Sequence, residues 1–102
     1  MRELLDADVR WHGAGDADGG CQNREQAMVW MTEAIRQGIT VELIDARAID
    51  ESRVLVLLHR RPDPPNSDPP APHGQLLSFR DGKVVEMVVY PTAEEAVAAA
   101  AA

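Results

Sequence analysis

Three histidines and one cysteine are the side chains of this 102-residue sequence best suited to proton transfer or nucleophilic attack near neutral pH. His12 follows Trp11 in DVRWHG, His59 closes RVLVLLHR and His73 opens HGQLLSFR. A histidine works as a general base when a carboxylate orients it. His59 has Glu42 or Asp45 as a partner on the neighbouring run, whereas no orienting carboxylate for His12 can be picked out from the sequence. His12 and His59 are therefore the candidate acid–base residues, against the plainer reading that both sit at solvated strand ends. The three histidines are dispersed and lack the i, i+4 pairing of metal motifs, so neither a metal nor a cofactor is expected. Cys21 follows two glycines and precedes a helix start, where the helix dipole favours a thiolate. Without a fixed His or Asn partner it reads as a small unreactive residue.

Met28, Trp30, Met31 and Met87 suit a flexible apolar ligand, because thioether chains adapt to irregular shapes. Ordinary core packing explains them about equally well. Ser78 and Tyr90 add polar handles.

These residues need elements to position them. Ala27, Trp30, Met31, Ala34 and Ile35 recur at helical spacing, with Met28 widening the stripe, between an Asn23/Gln26 capping box and Gly38 at the C′ position. Val9–His12 alternates in polarity before a glycine-rich loop and reads as a strand, while Met1–Ala7 reads as the end of a helix. Thr40–Ala48 and Arg53–Arg60 are Val-, Ile- and Leu-rich strands. Six of the seven prolines lie between Pro62 and Pro72, which predicts a solvated hairpin loop; its PDPP and PPAP are formally compatible with PxxP recognition but lack a flanking basic residue. Thr92 and Glu95 cap a short alanine-rich terminal helix. The order strand, helix, four strands, helix predicts a single α+β domain over residues 1–102 with an antiparallel sheet.

Composition narrows the partners. At 45% hydrophobic and 26% charged the chain is able to fold around one core. A formal charge of −7 opposes nucleic acid, no apolar run is long enough for a membrane span, and the acidic N-terminus is unlike a signal peptide. With a single cysteine and no leader, a cytoplasmic location is expected.

The stretch HGQLLSFRDGKVVEMVVYP reads as a hairpin. A two-residue Asp81-Gly82 turn pairs Arg80 with Lys83, Phe79 with Val84, Ser78 with Val85, Leu77 with Glu86 and Leu76 with Met87. Alternation then places Leu76, Ser78, Val85, Met87 and Val89 on one face, and Gln75, Leu77, Phe79, Val84, Glu86, Val88 and Tyr90 on the other. Both faces are mainly apolar. Two helices are too few to cover them, so a second copy of the chain is the economical cover.

Taken in order, DVRWHGAG, GCQNREQAMVWM and HGQLLSFRDGKVVEMVVYPTAEEA resemble the SnoaL-like group of the nuclear transport factor 2-like superfamily over most of the chain. The most specific part is the aromatic-x-DGK-V-V hairpin ending in Tyr-Pro and a terminal helix. The resemblance implies a strongly curved, cystatin-like sheet around a cone-shaped pocket, helices closing the concave side, and a homodimer through the convex side. It puts Trp11 and His12 near the pocket mouth. The implied ligand wall is Trp11, Met28, Met31, Leu76, Ser78, Met87 and Val89, and the implied dimer face is Gln75, Leu77, Phe79, Val84, Val88 and Tyr90. Relatives often carry an acidic catalytic group just before the Tyr-Pro end, where this sequence has Val89. They also carry one long helix and part of another ahead of the first strand, where this sequence has only Met1–Ala7; a partner chain or a rearranged helix would then complete the lid. The implied function is binding of a small hydrophobic molecule, with conversion by acid–base chemistry if it is an enzyme. The alternative is a noncatalytic dimerisation or ligand-sensing module.

Overall fold

In the computed structural model, which describes residues 2–16, 19–38, 41–60 and 72–101, the hairpin sets the register of the whole sheet. Asp81 and Gly82 both have positive φ, 54° and 78°, as a type I′ turn requires. They join β4 (His73–Arg80) to β5 (Lys83–Tyr90), with Arg80 opposite Lys83 and Phe79 opposite Val84 as predicted. Beyond that point the register shifts. Ser78 pairs with Glu86, Leu77 with Met87, Leu76 with Val88, Gln75 with Val89 and Gly74 with Tyr90, which leaves Val85 as the extra residue of a bulge.

One extra residue exchanges the faces predicted for the rest of β5. The physical reason is that Val84 and Met87, three residues apart, both enter one core, and strict alternation cannot place them there together. Gln75, Leu77, Phe79 and Val84 therefore share a face with Met87 and Val89. Leu76 and Ser78 share the other with Glu86, Val88 and Tyr90. The predicted dimer face is thus divided between the two sides: Leu77, Phe79 and Val84 pack into the core beneath the first helix, and Tyr90 packs in a second core on the opposite side.

The first strand, β1, runs from Leu5 to Gly13, so of the described residues read as a helix end, Leu5–Ala7 are extended and Arg2–Leu4 form a 3-10 turn. Leu5 and Val9 are buried, and this burial holds the segment against β5 across an irregular register. β2 (Val41–Ala48) and β3 (Arg53–Arg60) complete a curved five-stranded sheet of order β1-β5-β4-β3-β2. Three pairings are antiparallel, but β1 runs parallel to β5, so the sheet is mixed where a wholly antiparallel one was expected.

Helix α1, Arg24–Arg36, starts where predicted. The Asn23 side chain accepts from the Gln26 N–H at 3.0 Å, while the Gln26 side chain accepts from the Gln22 N–H at 2.7 Å, one residue earlier than a strict capping box. Gly38 follows with φ 76° and donates to the Ile35 carbonyl. α1 packs over β1 through Ala27, Met28 and Met31, forming a core with Leu5, Val9, Cys21, Val84 and Met87.

Helix α2, Ala93–Ala101, packs on the other face of the sheet. Its methyl groups let it lie close: Ala96 and Ala100 are buried against Leu55, Leu57 and Leu76. A Cβ on Gly74 would strike the Ala96 side chain, so glycine is what permits this approach. β2 is left largely uncovered, with Val41, Leu43 and Ile44 exposed. The proline-rich segment falls at residues 61–71, outside the described residues.

Candidate functional site

Because α1 covers β1 and leaves the rest of its face of the sheet open, a cavity of about 1420 Å³ remains between them. Its inner end is made by Trp11, Cys21, Met28, Met31 and Met87. Leu58, His73, Gln75 and Val89 continue the wall across the sheet. The Trp11 and Trp30 indoles meet edge to face, with centroids 5.0 Å apart and planes at 65°.

β1 sorts Trp11 from His12. Trp11 lies opposite Met87, on the α1 side, and His12 lies opposite Val88, on the other. His12 reaches the cavity rim, but its imidazole is buried and held between two acceptors. Nδ1 is 2.9 Å from the Gly13 carbonyl oxygen and Nε2 is 3.0 Å from a Glu86 carboxylate oxygen. A carbonyl and a carboxylate both accept, so the two contacts suit the protonated ring, in which both nitrogens donate. The Glu86 hydrogen bond, aided by Gly13, holds the His12 pKa above its ordinary value against the opposing effect of burial.

Gly20 keeps this strand end compact. It has φ 69°, and a Cβ there would strike the Trp11 carbonyl and lie 2.9 Å from His12 Cα. The neighbouring Cys21 exchanges two backbone hydrogen bonds with Trp11, at 3.0 and 2.8 Å, along the outer edge of β1. Burial pushes the Cys21 thiol pKa up, the reverse of an activated nucleophile.

His59 does meet a carboxylate, as predicted for the pair of strands. Its Nε2 is 3.3 Å from Glu42, which it faces directly across β2 and β3. Asp45 instead binds Arg47 Nε at 2.6 Å, and that guanidinium lowers its pKa. His59 alternates with Leu58, which lines the cavity, so the His59–Glu42 pair belongs to the opposite face. The two candidate acid–base histidines are therefore apart from each other: His12 meets the cavity only at its rim, and His59 is turned away from it. Of the expected ligand-binding residues, Trp11, Met28, Met31, Met87 and Val89 line the cavity. Leu76 and Ser78 do not, for the register reason above; Leu76 is buried beneath α2.

Sequence reasoning passed over Glu86 and His73 as site residues and gave Gln75 to the dimer face rather than to the cavity. Glu86 carried a signal: it is the one charge within VVEMVVY, and a buried partner on the adjacent strand explains it. Gln75 and His73 became visible only once the bulge fixed the faces of β4.

No family model matches the sequence, and no curated protein does. Solved structures do match. A putative SnoaL-like polyketide cyclase from Jannaschia sp. CCS1 is 21% identical, with a TM-score of 0.64 over 97% of this chain and 74% of that one. A hypothetical protein with a ketosteroid isomerase-like fold from Catenulispora acidiphila, in complex with trimethylamine, is 16% identical, with a TM-score of 0.66 over 98% and 78%. An uncharacterised cystatin-fold protein from Novosphingobium aromaticivorans is 17% identical, with a TM-score of 0.69 over 86% and 79%. The chain therefore has the fold of the SnoaL-like and nuclear transport factor 2-like proteins.

Proposed function

We propose that the cavity between α1 and the sheet binds a small, largely apolar molecule, and that the domain does so without acid–base catalysis by His12 or His59. The observation that carries this reading is the convergence of Trp11, Met28, Met31 and Met87 on one open cavity, while His12 touches it only at the rim, held by Glu86 on the other face, and the His59–Glu42 pair lies on that other face. A cavity of about 1420 Å³ exceeds the roughly 300–1,000 Å³ of most ligand sites because one side is open. The inner end, between the tryptophan pair and the methionines, is the part shaped to enclose a ligand. The trimethylamine in the Catenulispora structure and the cyclase description of the Jannaschia protein are compatible with a small-molecule role for this fold.

Trp11 and Trp30 are the only two tryptophans of the chain, and both line the cavity, so indole fluorescence reports this site alone. Titration with 1-octanol is expected to give a saturable change that Val89→Glu abolishes, with the circular dichroism of the variant unchanged. A linear, unsaturable response, or one unaffected by the substitution, would overturn the proposal.

A second reading, self-association, is favoured by β2. It is an edge strand whose Val41, Leu43 and Ile44 are 50%, 62% and 49% exposed. An uncovered apolar edge of this kind is a template for pairing with a second copy.

A further inference from the structure

The charge around the cavity is one-sided. Its described lining residues include Glu25 and Glu33 and neither lysine nor arginine, in a chain of formal charge −7. His12, at the rim, is paired with Glu86 on the opposite face of the sheet. Beside the main cavity lies a recess of about 150 Å³ formed by Trp30, Glu33, Ala34 and Gln37. Trp30, Glu33 and Ala34 line both spaces, so the recess and the cavity adjoin along α1.

Trp30 is 56% exposed despite its contact with Trp11. One helical turn away, at i+3, is the Glu33 carboxylate. An indole face next to a carboxylate favours an organic cation: the ring quadrupole and the negative charge both attract it, and an alkylammonium head sheds water more easily than a small inorganic ion. Arg36 competes for the same carboxylate, with Nη1 3.2 Å from Glu33, and Gln37 donates to its other oxygen at 3.2 Å. That ion pair is exposed on both sides, at 75% and 53%, and such pairs yield readily.

Resting on the reading of the cavity as a ligand site, we propose that its ligand is an amphiphilic cation: an alkylammonium whose head sits between Trp30 and Glu33 and whose apolar chain runs toward Met28, Met31 and Met87. The same octyl chain on three heads tests it. Octyltrimethylammonium, 1-octanol and octanoate are titrated separately, below micelle formation and at one fixed ionic strength, with tryptophan fluorescence as readout.

The ammonium is expected to bind about ten-fold more tightly than the alcohol, and octanoate more weakly than either. Glu33→Gln, at an exposed helix position, removes most of that preference, and Trp30→Leu weakens binding of the ammonium more than binding of octanol. Arg36→Gln strengthens binding of the ammonium. Glu94→Gln, the same charge change on α2, leaves all three affinities unchanged. Octanol or octanoate binding as tightly as the ammonium would overturn the cation proposal and leave the ligand site standing. So would an effect of Glu94→Gln equal to that of Glu33→Gln, which would mean general attraction by an acidic protein. No saturable response to any of the three would overturn the ligand site itself, and the cation proposal with it.

Discussion

Replacing Gly74 with alanine tests the register and the seating of α2 together. Gly74 lies on β4 between Leu57 of β3 and Tyr90 of β5, directly beneath Ala96. A methyl group there would collide with the Ala96 methyl and lie 3.3 Å from Leu57 Cδ2, so α2 must lift or β4 must bend. Overpacking of this kind costs about 1–3 kcal/mol. Alanine in an extended strand recovers roughly 0.5–1 kcal/mol through the backbone entropy that glycine would lose. The net expectation is a loss of about 0.5–2 kcal/mol, or roughly 2–16 °C in Tm at about 4–8 °C per kcal/mol for a domain of this size. Ala96→Gly alone should also destabilise, by about 2 kcal/mol, from helix propensity and one lost buried methyl. The diagnostic is the double variant: with the Ala96 methyl gone, the new methyl on residue 74 has room, so the two losses should fall short of additive by about 1–2 kcal/mol. Urea denaturation followed by circular dichroism measures all four proteins. Coupling within about 0.3 kcal/mol of zero would refute the close approach of α2 to Gly74, because independent sites add to that precision.

Two further expectations use the charge pair and the open edge. The folded-state pKa of His12 is raised, so the pair's contribution to stability is fully present below the unfolded value near 6.5 and is lost as pH rises through the folded value. Glu86→Gln should therefore cost about 1 kcal/mol at pH 5.5, reduced from a fully buried charged hydrogen bond because Glu86 is 44% exposed, and the cost should shrink in alkaline buffer; a pH-independent difference refutes the linkage. For self-association, light scattering on dilution should report a dimer at high concentration that Leu43→Lys disperses, and a wild-type protein monomeric at every concentration excludes pairing through β2.

How far the sequence could be read depended on which interactions were local. α1 was legible to within a residue because its stripe, its Asn23 cap and Gly38 are all encoded within the segment itself. The Asp81-Gly82 turn was legible for the same reason. The bulge at Val85 was not, because nothing in KVVEMVVY says that one residue will stand outside the ladder. It is imposed by contacts distant in sequence: Val84 and Met87 must both meet Leu5, Val9 and Ala27. The parallel docking of β1 on β5 escaped for a similar reason, since 69 residues separate the end of one strand from the start of the other (83 − 13 − 1). The His59–Glu42 pair was within reach because β2 and β3 are consecutive. The His12–Glu86 pair required knowing which strand lies next to β1.

The bulge also decides what the site can do. Had β5 kept strict alternation, the hairpin register would have turned Glu86 to the same face as Leu77, which packs against the α1 core. An acidic group would then stand beside the tryptophans, and His12 on the other face would have no partner. With the bulge, Met87 takes the inner position and Glu86 turns to His12. The sheet thereby separates a structural ion pair from an apolar wall. Among the described lining residues, the polar groups are Gln75 and His73 on the sheet, His12 at the rim, and Gln26, Thr32 and the carboxylates Glu25 and Glu33 of α1, so full negative charge comes from α1 alone. That is why the charge of a bound molecule should be read at Glu33, and why substitutions of Glu86 should change stability and leave ligand preference unaltered.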